Sequence, residues 1–148
     1  MINVHLQTTN FNQFKYSLKH GNWILDYSQK LLAVKNAVDI LCQNFLKRVN
    51  QIDLLSKHIE SSPYPLMICG DFNVLPSSYI YHQTKSHLKD GFLSAGNGYE
   101  YTYRYLNNMF RSDYIFHSKE IDVSFYKSYN LNYSDHKPVI MDFRVRCK

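Results

Sequence analysis

Three short polar stretches hold the residue types that can do chemistry here: Gly70-Asp71-Phe72-Asn73, Arg111-Ser112-Asp113-Tyr114 and Ser134-Asp135-His136-Lys137-Pro138. In the first, Asp71 and Asn73 stand two residues apart, so an extended backbone turns both to one side. A carboxylate and a carboxamide facing one point suit a hard cation or a held water, and Gly70 permits a close approach. The same tetrapeptide also suits an Asx-rich turn. In the third stretch His136 can donate a proton or a hydrogen bond, although an Asp–His pair is equally at home in a surface loop. Asp113 opens the apolar run Tyr114-Ile115-Phe116, and a carboxylate beside a buried strand needs a partner to offset its desolvation. Arg111 or a histidine would serve, and an imidazole bound to the carboxylate would have its tautomer fixed and its protonated form favoured.

These stretches must be positioned by regular elements. Residues 2 to 6 (Ile-Asn-Val-His-Leu) alternate in polarity and read as a strand. Gln7 to Tyr27 is polar and aromatic and reads as a long loop, with Trp23 expected against the sheet edge. From about Ser28 to Glu60 the apolar positions Leu31, Val34, Val38, Leu41, Phe45, Val49, Ile52, Leu55 and Ile59 step by three or four, the mark of a helix that packs one face on a core. Ser28 is the expected N-cap. Such a helix would run to roughly 48 Å, so a break near Asn50 is expected. The Ser61 to Pro65 segment stops it, and Leu66 to Cys69 reads as a strand buried on both faces. A short helix is expected over Tyr79 to Leu88. Strands are expected over Tyr101 to Tyr105, Asp113 to His117, Val123 to Tyr129 and Lys137 to Arg146, the last with Val139, Met141, Phe143 and Val145 on one face. The Tyr99, Tyr101, Tyr103 and Tyr105 alternation reads as sheet packing, with base stacking as the other use of such rings.

At 148 residues, 45% of them apolar and 16% aromatic, the chain holds ample material for a single core, and disorder is excluded. A formal charge of +5 would concentrate anionic substrates, but the cations are scattered and form no polybasic arm. Cys42, Cys69 and Cys147 are widely spaced, which points to free thiols rather than a disulfide framework or a zinc site. No apolar stretch approaches the roughly 18 residues that span a bilayer.

Gly70 to Asn73 after an apolar strand, then Arg111 to Phe116, then Ser134 to Val139 before a final strand resemble three C-terminal motifs of the endonuclease/exonuclease/phosphatase superfamily. Asn3-Val4-His5-Leu6 resembles an earlier motif strand of that family, so the resemblance runs along essentially the whole chain. It implies an α/β (α+β) fold, the C-terminal half of a four-layered α/β/β/α sandwich, mostly antiparallel with flanking helices. It also implies phosphoester hydrolysis with Mg²⁺ or Mn²⁺ as cofactor. In that resemblance Asp71 orients or deprotonates the attacking water, and Asn73 positions it or contacts the phosphate. His136 binds the scissile phosphate, Asp113 holds the imidazole, His5 is a second phosphate-facing imidazole, and Asp135 lies near the metal.

The family pattern also has an Asn and a principal metal-binding Glu on early strands, and neither can be matched here. The chain, residues 1–148, is therefore expected to be the C-terminal portion of a longer domain, with that Glu upstream of Met1, and to be inactive alone. The alternative is a non-catalytic binding module that keeps the scaffold. The expected partner is a phosphate-containing substrate, with nucleic acid, phospholipid head group and nucleotide undistinguished, and self-association through exposed sheet is a further expectation.

Overall fold

The structure, a computed structural model, describes residues 1–8, 27–105 and 108–146. Most of the stretch read as a loop, with Trp23, lies outside the described residues, as does Cys147. The elements in order are β1 (Ile2–His5), α1 (Tyr27–Ser61), β2 (Met67–Asp71), α2 (Tyr79–His87), β3 (Lys89–Asp90), α3 (Gly91–Ala95), β4 (Asp113–His117), β5 (Ile121–Ser128) and β6 (Val139–Val145). One sheet has the strand order β1-β2-β4-β3, and a second is the hairpin β5-β6. β1 runs parallel to β2, and every other pairing is antiparallel, so the described architecture is α+β.

Strand alternation assigns the two faces of the larger sheet. Ile2 pairs with Ile68 and Val4 with Gly70, while across the next gap Ile68 meets Phe116 and Gly70 meets Tyr114. This face packs beneath α1 and α2, where Leu6, Ile52, Leu55, Ile59, Ile68, Phe72, Ile80, Tyr81, Tyr114 and Phe116 form one buried cluster. Ile52, Ile68, Ile80, Phe72 and Phe116 are wholly buried, each contributing roughly 1.5–3 kcal/mol of apolar burial. The opposite face carries the other parity: Asn3, Cys69 and Ile115, and at its end His5, Asp71 and Asp113.

Gly70 is required where it stands. Its φ is +143°, and a Cβ there would lie 1.8 Å from the Val4 carbonyl oxygen, so only glycine lets β1 come this close to β2.

Several expectations need correction. The long helix runs unbroken through Asn50 for 35 residues, and Ser28 lies in its first turn rather than capping it. Its apolar stripe is core only in the second half, since Leu31, Val34 and Val38 are 59%, 50% and 49% exposed. The expected strand over Tyr101 to Tyr105 does not form. Tyr103 alone makes isolated bridges, to Phe110 and to His136. β3 and α3 were not anticipated. α3 is capped by the Asp90 carboxylate, which accepts from Phe92 N at 2.9 Å. Cys42 and Cys69 are free thiols. Among the described residues no helix is long and apolar enough to cross a membrane.

Candidate active site

Register alone brings three of the chemistry-bearing residues into a row. His5 pairs with Asp71 across β1 and β2, and Asp71 pairs with Asp113 across β2 and β4, all at one end of the sheet and on the face away from the helices. This is the carboxyl end of the parallel pair, where α/β sheets gather their sites. The ladder continues one residue further, Phe72 N donating to Ser112 O at 2.9 Å and Leu6 N to Asp71 O at 2.9 Å, which holds the strand ends firmly.

Asn73 joins Asp71 by a route other than strand alternation. Its φ is +53°, so the chain turns instead of extending. The Asn73 backbone N–H donates to Asp71 Oδ1 at 2.9 Å and its side-chain amide donates to Asp71 Oδ2 at 2.9 Å and to Leu6 O at 3.1 Å. The Asx turn and the functional pair are thus one structure, and asparagine tolerates the left-handed backbone that it needs.

His136 arrives from the loop before β6 and supplies the partner that Asp113 requires. Its Nδ1 lies 2.8 Å from Asp113 Oδ2, and its Nε2 lies 4.0 Å from Asp71 Oδ2. Arg111, the other candidate, is committed elsewhere, to Asp90. The hydrogen bond with Asp113 raises the His136 pKa above the usual histidine range despite partial burial, which favours the imidazolium. Burial raises the Asp71 pKa, and the neighbouring Asp113 carboxylate adds to this, while the Asn73 N–H and the two imidazoles oppose it. His5 Nε2 stands 3.8 Å from Asp71 Oδ2 on a side chain 70% exposed, a loose neighbour rather than a bonded one. Asp135 is exposed, and its carboxylate accepts from its own neighbour Ser134 Oγ at 3.3 Å. Ser134 Oγ also accepts from His136 N at 3.1 Å, which shapes the loop.

Ligand-type atoms of Asp71, Asp113 and His136 all lie within 4.8 Å of one another, so a possible acidic and histidine metal site exists. Its donors are two carboxylates and an imidazole, and the carboxylate oxygens suit a divalent cation that keeps several waters and leans on one or two carboxylates. Asp113 Oδ2 is engaged by His136 and by Ser112 Oγ at 3.0 Å, and the two Asp71 oxygens each accept from Asn73 at 2.9 Å, so both carboxylates sit within the hydrogen-bond network and keep further lone pairs for an ion.

The pattern of the Endonuclease/Exonuclease/phosphatase family matches residues 13–136. The chain belongs to that family. Comparison with solved structures agrees. An endonuclease/exonuclease/phosphatase from Bacteroides vulgatus superposes with a TM-score of 0.61 at 22% identity, over 68% of this chain and 44% of that one. A mannosyl-6-phosphatase from Bacteroides thetaiotaomicron gives 0.54 at 22% identity, over 66% and 46%. The human Nocturnin catalytic domain with a bound sulfate anion gives 0.51 at 27% identity, over 68% and 40%. The family member described here thus spans less than half the length of these relatives. Comparison with curated proteins gave no match. Family members are hydrolases that act on phosphate-containing substrates.

Two residues near this cluster escaped the sequence reading. Thr102 is completely buried behind Asp113, and its only signal was being a lone threonine among tyrosines. Arg48, on α1, donates to Gln7 O at 2.9 Å and so fastens the segment following His5. It was masked by its place in a helix stripe.

Proposed function

We propose that this chain carries the phosphate-handling part of a hydrolase that cleaves phosphoester bonds with a divalent cation, Mg²⁺ or Mn²⁺. The observation that carries the reading is the convergence of Asp71, Asn73, Asp113 and His136 at one sheet end, with the Asp113–His136 hydrogen bond at 2.8 Å. His136 Nδ1–H donates to Asp113, which leaves Nε2–H of the imidazolium to donate to a phosphoryl oxygen and to stabilise charge developing there. Asp71 aligns the attacking water and accepts its proton. Asn73 keeps that carboxylate oriented. His5, exposed beside Asp71, serves as a second phosphate-facing imidazole, and Asp135, next to His136 in the chain, serves the cation. A divalent cation held by a carboxylate of this cluster would supply Lewis-acid neutralisation of the phosphoryl oxygens.

The chain offers few anionic ligands, so cation binding by this chain alone is weak, and slow turnover is proposed in place of the inactivity expected from the sequence. The match reaches only 44% and 46% of two of these relatives, which supports reading this chain as one portion of a larger catalytic unit.

Hydrolysis of bis-p-nitrophenyl phosphate and p-nitrophenyl phosphate with Mg²⁺, Mn²⁺ or EDTA tests the proposal. Metal-dependent release of nitrophenol, lost in Asp71→Ala and in His136→Ala, is expected, and preference for diester or monoester separates nuclease-type from phosphatase-type chemistry. Release that survives both substitutions, or its absence at saturating metal in a folded sample, overturns the reading in favour of a non-catalytic scaffold.

A further inference from the structure

We propose that Thr102 is a positioning residue for the Asp113–His136 pair, tying the two halves of that hydrogen bond together through its hydroxyl oxygen and its carbonyl. The inference rests on the reading of His136 as the phosphate-facing imidazole.

The need for such a residue arises from the sheet. β3 pairs with β4 only at Phe116 and His117, so among the described residues no strand flanks the first residues of β4 on that side. The amides of Ser112 and Asp113 would be left without acceptors at a partly buried place, which natural structures rarely tolerate. Thr102 Oγ1 accepts from both, at 3.0 Å from Ser112 N and 3.1 Å from Asp113 N, standing in for the missing strand carbonyl. A hydroxyl oxygen has two acceptor lone pairs, and both are used.

The backbone of the same residue holds the other partner. Lys137 N donates to Thr102 O at 2.7 Å, and Arg104 N donates to Asp135 O at 2.9 Å, so two hydrogen bonds bracket His136 from either side. Between them Tyr103 and His136 form an antiparallel bridge, with their rings 5.1 Å apart. Thr102 N is in turn anchored on Phe110 O at 3.0 Å. Asp113 and His136 are 23 residues apart in sequence, yet one buried residue links the backbone of the first to that of the residue following the second. The β-branched side chain, stiff at χ1, fixes the angle between the two connections. Displacing either half by a fraction of an ångström would lengthen a bond on which the orientation of Nε2 depends, and misplacement of about 1 Å can cost on the order of 10²-fold in rate.

The test compares the full chain with Thr102→Val, which keeps the shape and removes the acceptor, and Thr102→Ser, which keeps the acceptor and removes the methyl. The first readout is the ring ¹⁵N–¹H spectrum of His136 at fixed pH, where an Nδ1 proton bonded to a carboxylate resonates far downfield. That signal is expected in the wild type and in Thr102→Ser and is expected to vanish in Thr102→Val. The second is hydrolysis of bis-p-nitrophenyl phosphate with Mg²⁺: kcat of Thr102→Val falls on the order of 10²-fold with KM changed by less than about threefold, while Thr102→Ser stays within about threefold of wild type.

A folded Thr102→Val protein that keeps the downfield proton overturns the proposal and leaves Thr102 as a staple of stability alone. Should Thr102→Val not fold, Thr102→Ser decides, because loss of the proton in that folded variant overturns it equally. A wild type that shows the proton but hydrolyses nothing refutes the functional reading and leaves the positioning role standing.

Discussion

Replacing Arg111 by methionine should destabilise the chain by about 3–5 kcal/mol, because it strips the cation from a buried ion pair and leaves the anion behind. Arg111 Nη2 lies 2.6 Å and Nη1 3.2 Å from the two Asp90 oxygens, with the side chains only 6% and 0% exposed. The guanidinium also sits 4.9 Å from the Phe92 ring and 4.7 Å from the Tyr114 ring, and Glu100 is 3.7 Å away. After Arg111→Met, Asp90 would keep only the Tyr81 hydroxyl at 2.7 Å and the Phe92 amide at 2.9 Å, too few donors for a wholly buried carboxylate. For a chain of this size each kcal/mol moves Tm by roughly 2–4 °C, so the expected fall is roughly 6–20 °C. The double variant Asp90→Asn with Arg111→Met keeps an acceptor for the Phe92 amide, turns its NH2 as a donor towards the Tyr81 hydroxyl oxygen and carries no charge, so it should recover a clear part of the loss. Urea unfolding followed by circular dichroism measures all three proteins. A single-variant loss under about 1 kcal/mol, or a double variant as unstable as the sum of its parts, would refute the account of this pair as a charge that must stay matched. The pair also bears on the site, since Arg111 lies two residues before Asp113 and its carbonyl accepts from the Tyr114 hydroxyl at 2.7 Å.

Two further outcomes follow from the same geometry. The His136 pKa is raised by its bond to Asp113, so the stability from that bond is fully present below the ordinary histidine pKa and is lost as pH rises through the raised value. Asp113→Asn should move the His136 titration, followed by NMR, to lower pH and carry the alkaline limb of any hydrolysis with it; an unmoved titration contradicts the pairing. Gly70→Ala should cost about 2 kcal/mol or more and loosen β1, since the new methyl overlaps the Val4 carbonyl oxygen and alanine resists a φ of +143°. Hydrogen exchange at Leu6 N, which bonds Asp71 O, reports the loosening, and unchanged protection there would be the wrong result for this account.

Much of the site was legible because its residues stand at strand ends, where apolar runs give way to polar ones. The strands holding Asp71 and Asp113, and the final strand after His136, show in the alternation and apolarity of the sequence. What could not be read was the register that places His5 beside Asp71 and Asp71 beside Asp113, because pairing depends on residues far apart in the chain. The α1 stripe announced a helix but not its surroundings: Ile52 and Val38 belong to one periodic series, yet only Ile52 meets the core. Tyr101 to Tyr105 alternates like a strand but finds only single-residue bridges at Tyr103, so its periodicity reports a clamp on the His136 loop instead of a sheet edge. Asn73 was placed correctly beside Asp71, though by a left-handed turn that no alternation rule foresees. β3 and α3, of two and five residues, are too short to leave a pattern.

The central claim is that Asp71 and His136 address one phosphoryl group from a common sheet end. A crystal of this chain soaked in Mn²⁺ and inorganic phosphate tests it most directly, because manganese is located by its anomalous signal. The account predicts manganese within roughly 2.3 Å of an Asp71 oxygen and a phosphate oxygen in hydrogen-bond reach of His136 Nε2. Phosphate and manganese bound away from these two side chains, or neither bound while the Asp113–His136 contact is intact, would contradict it.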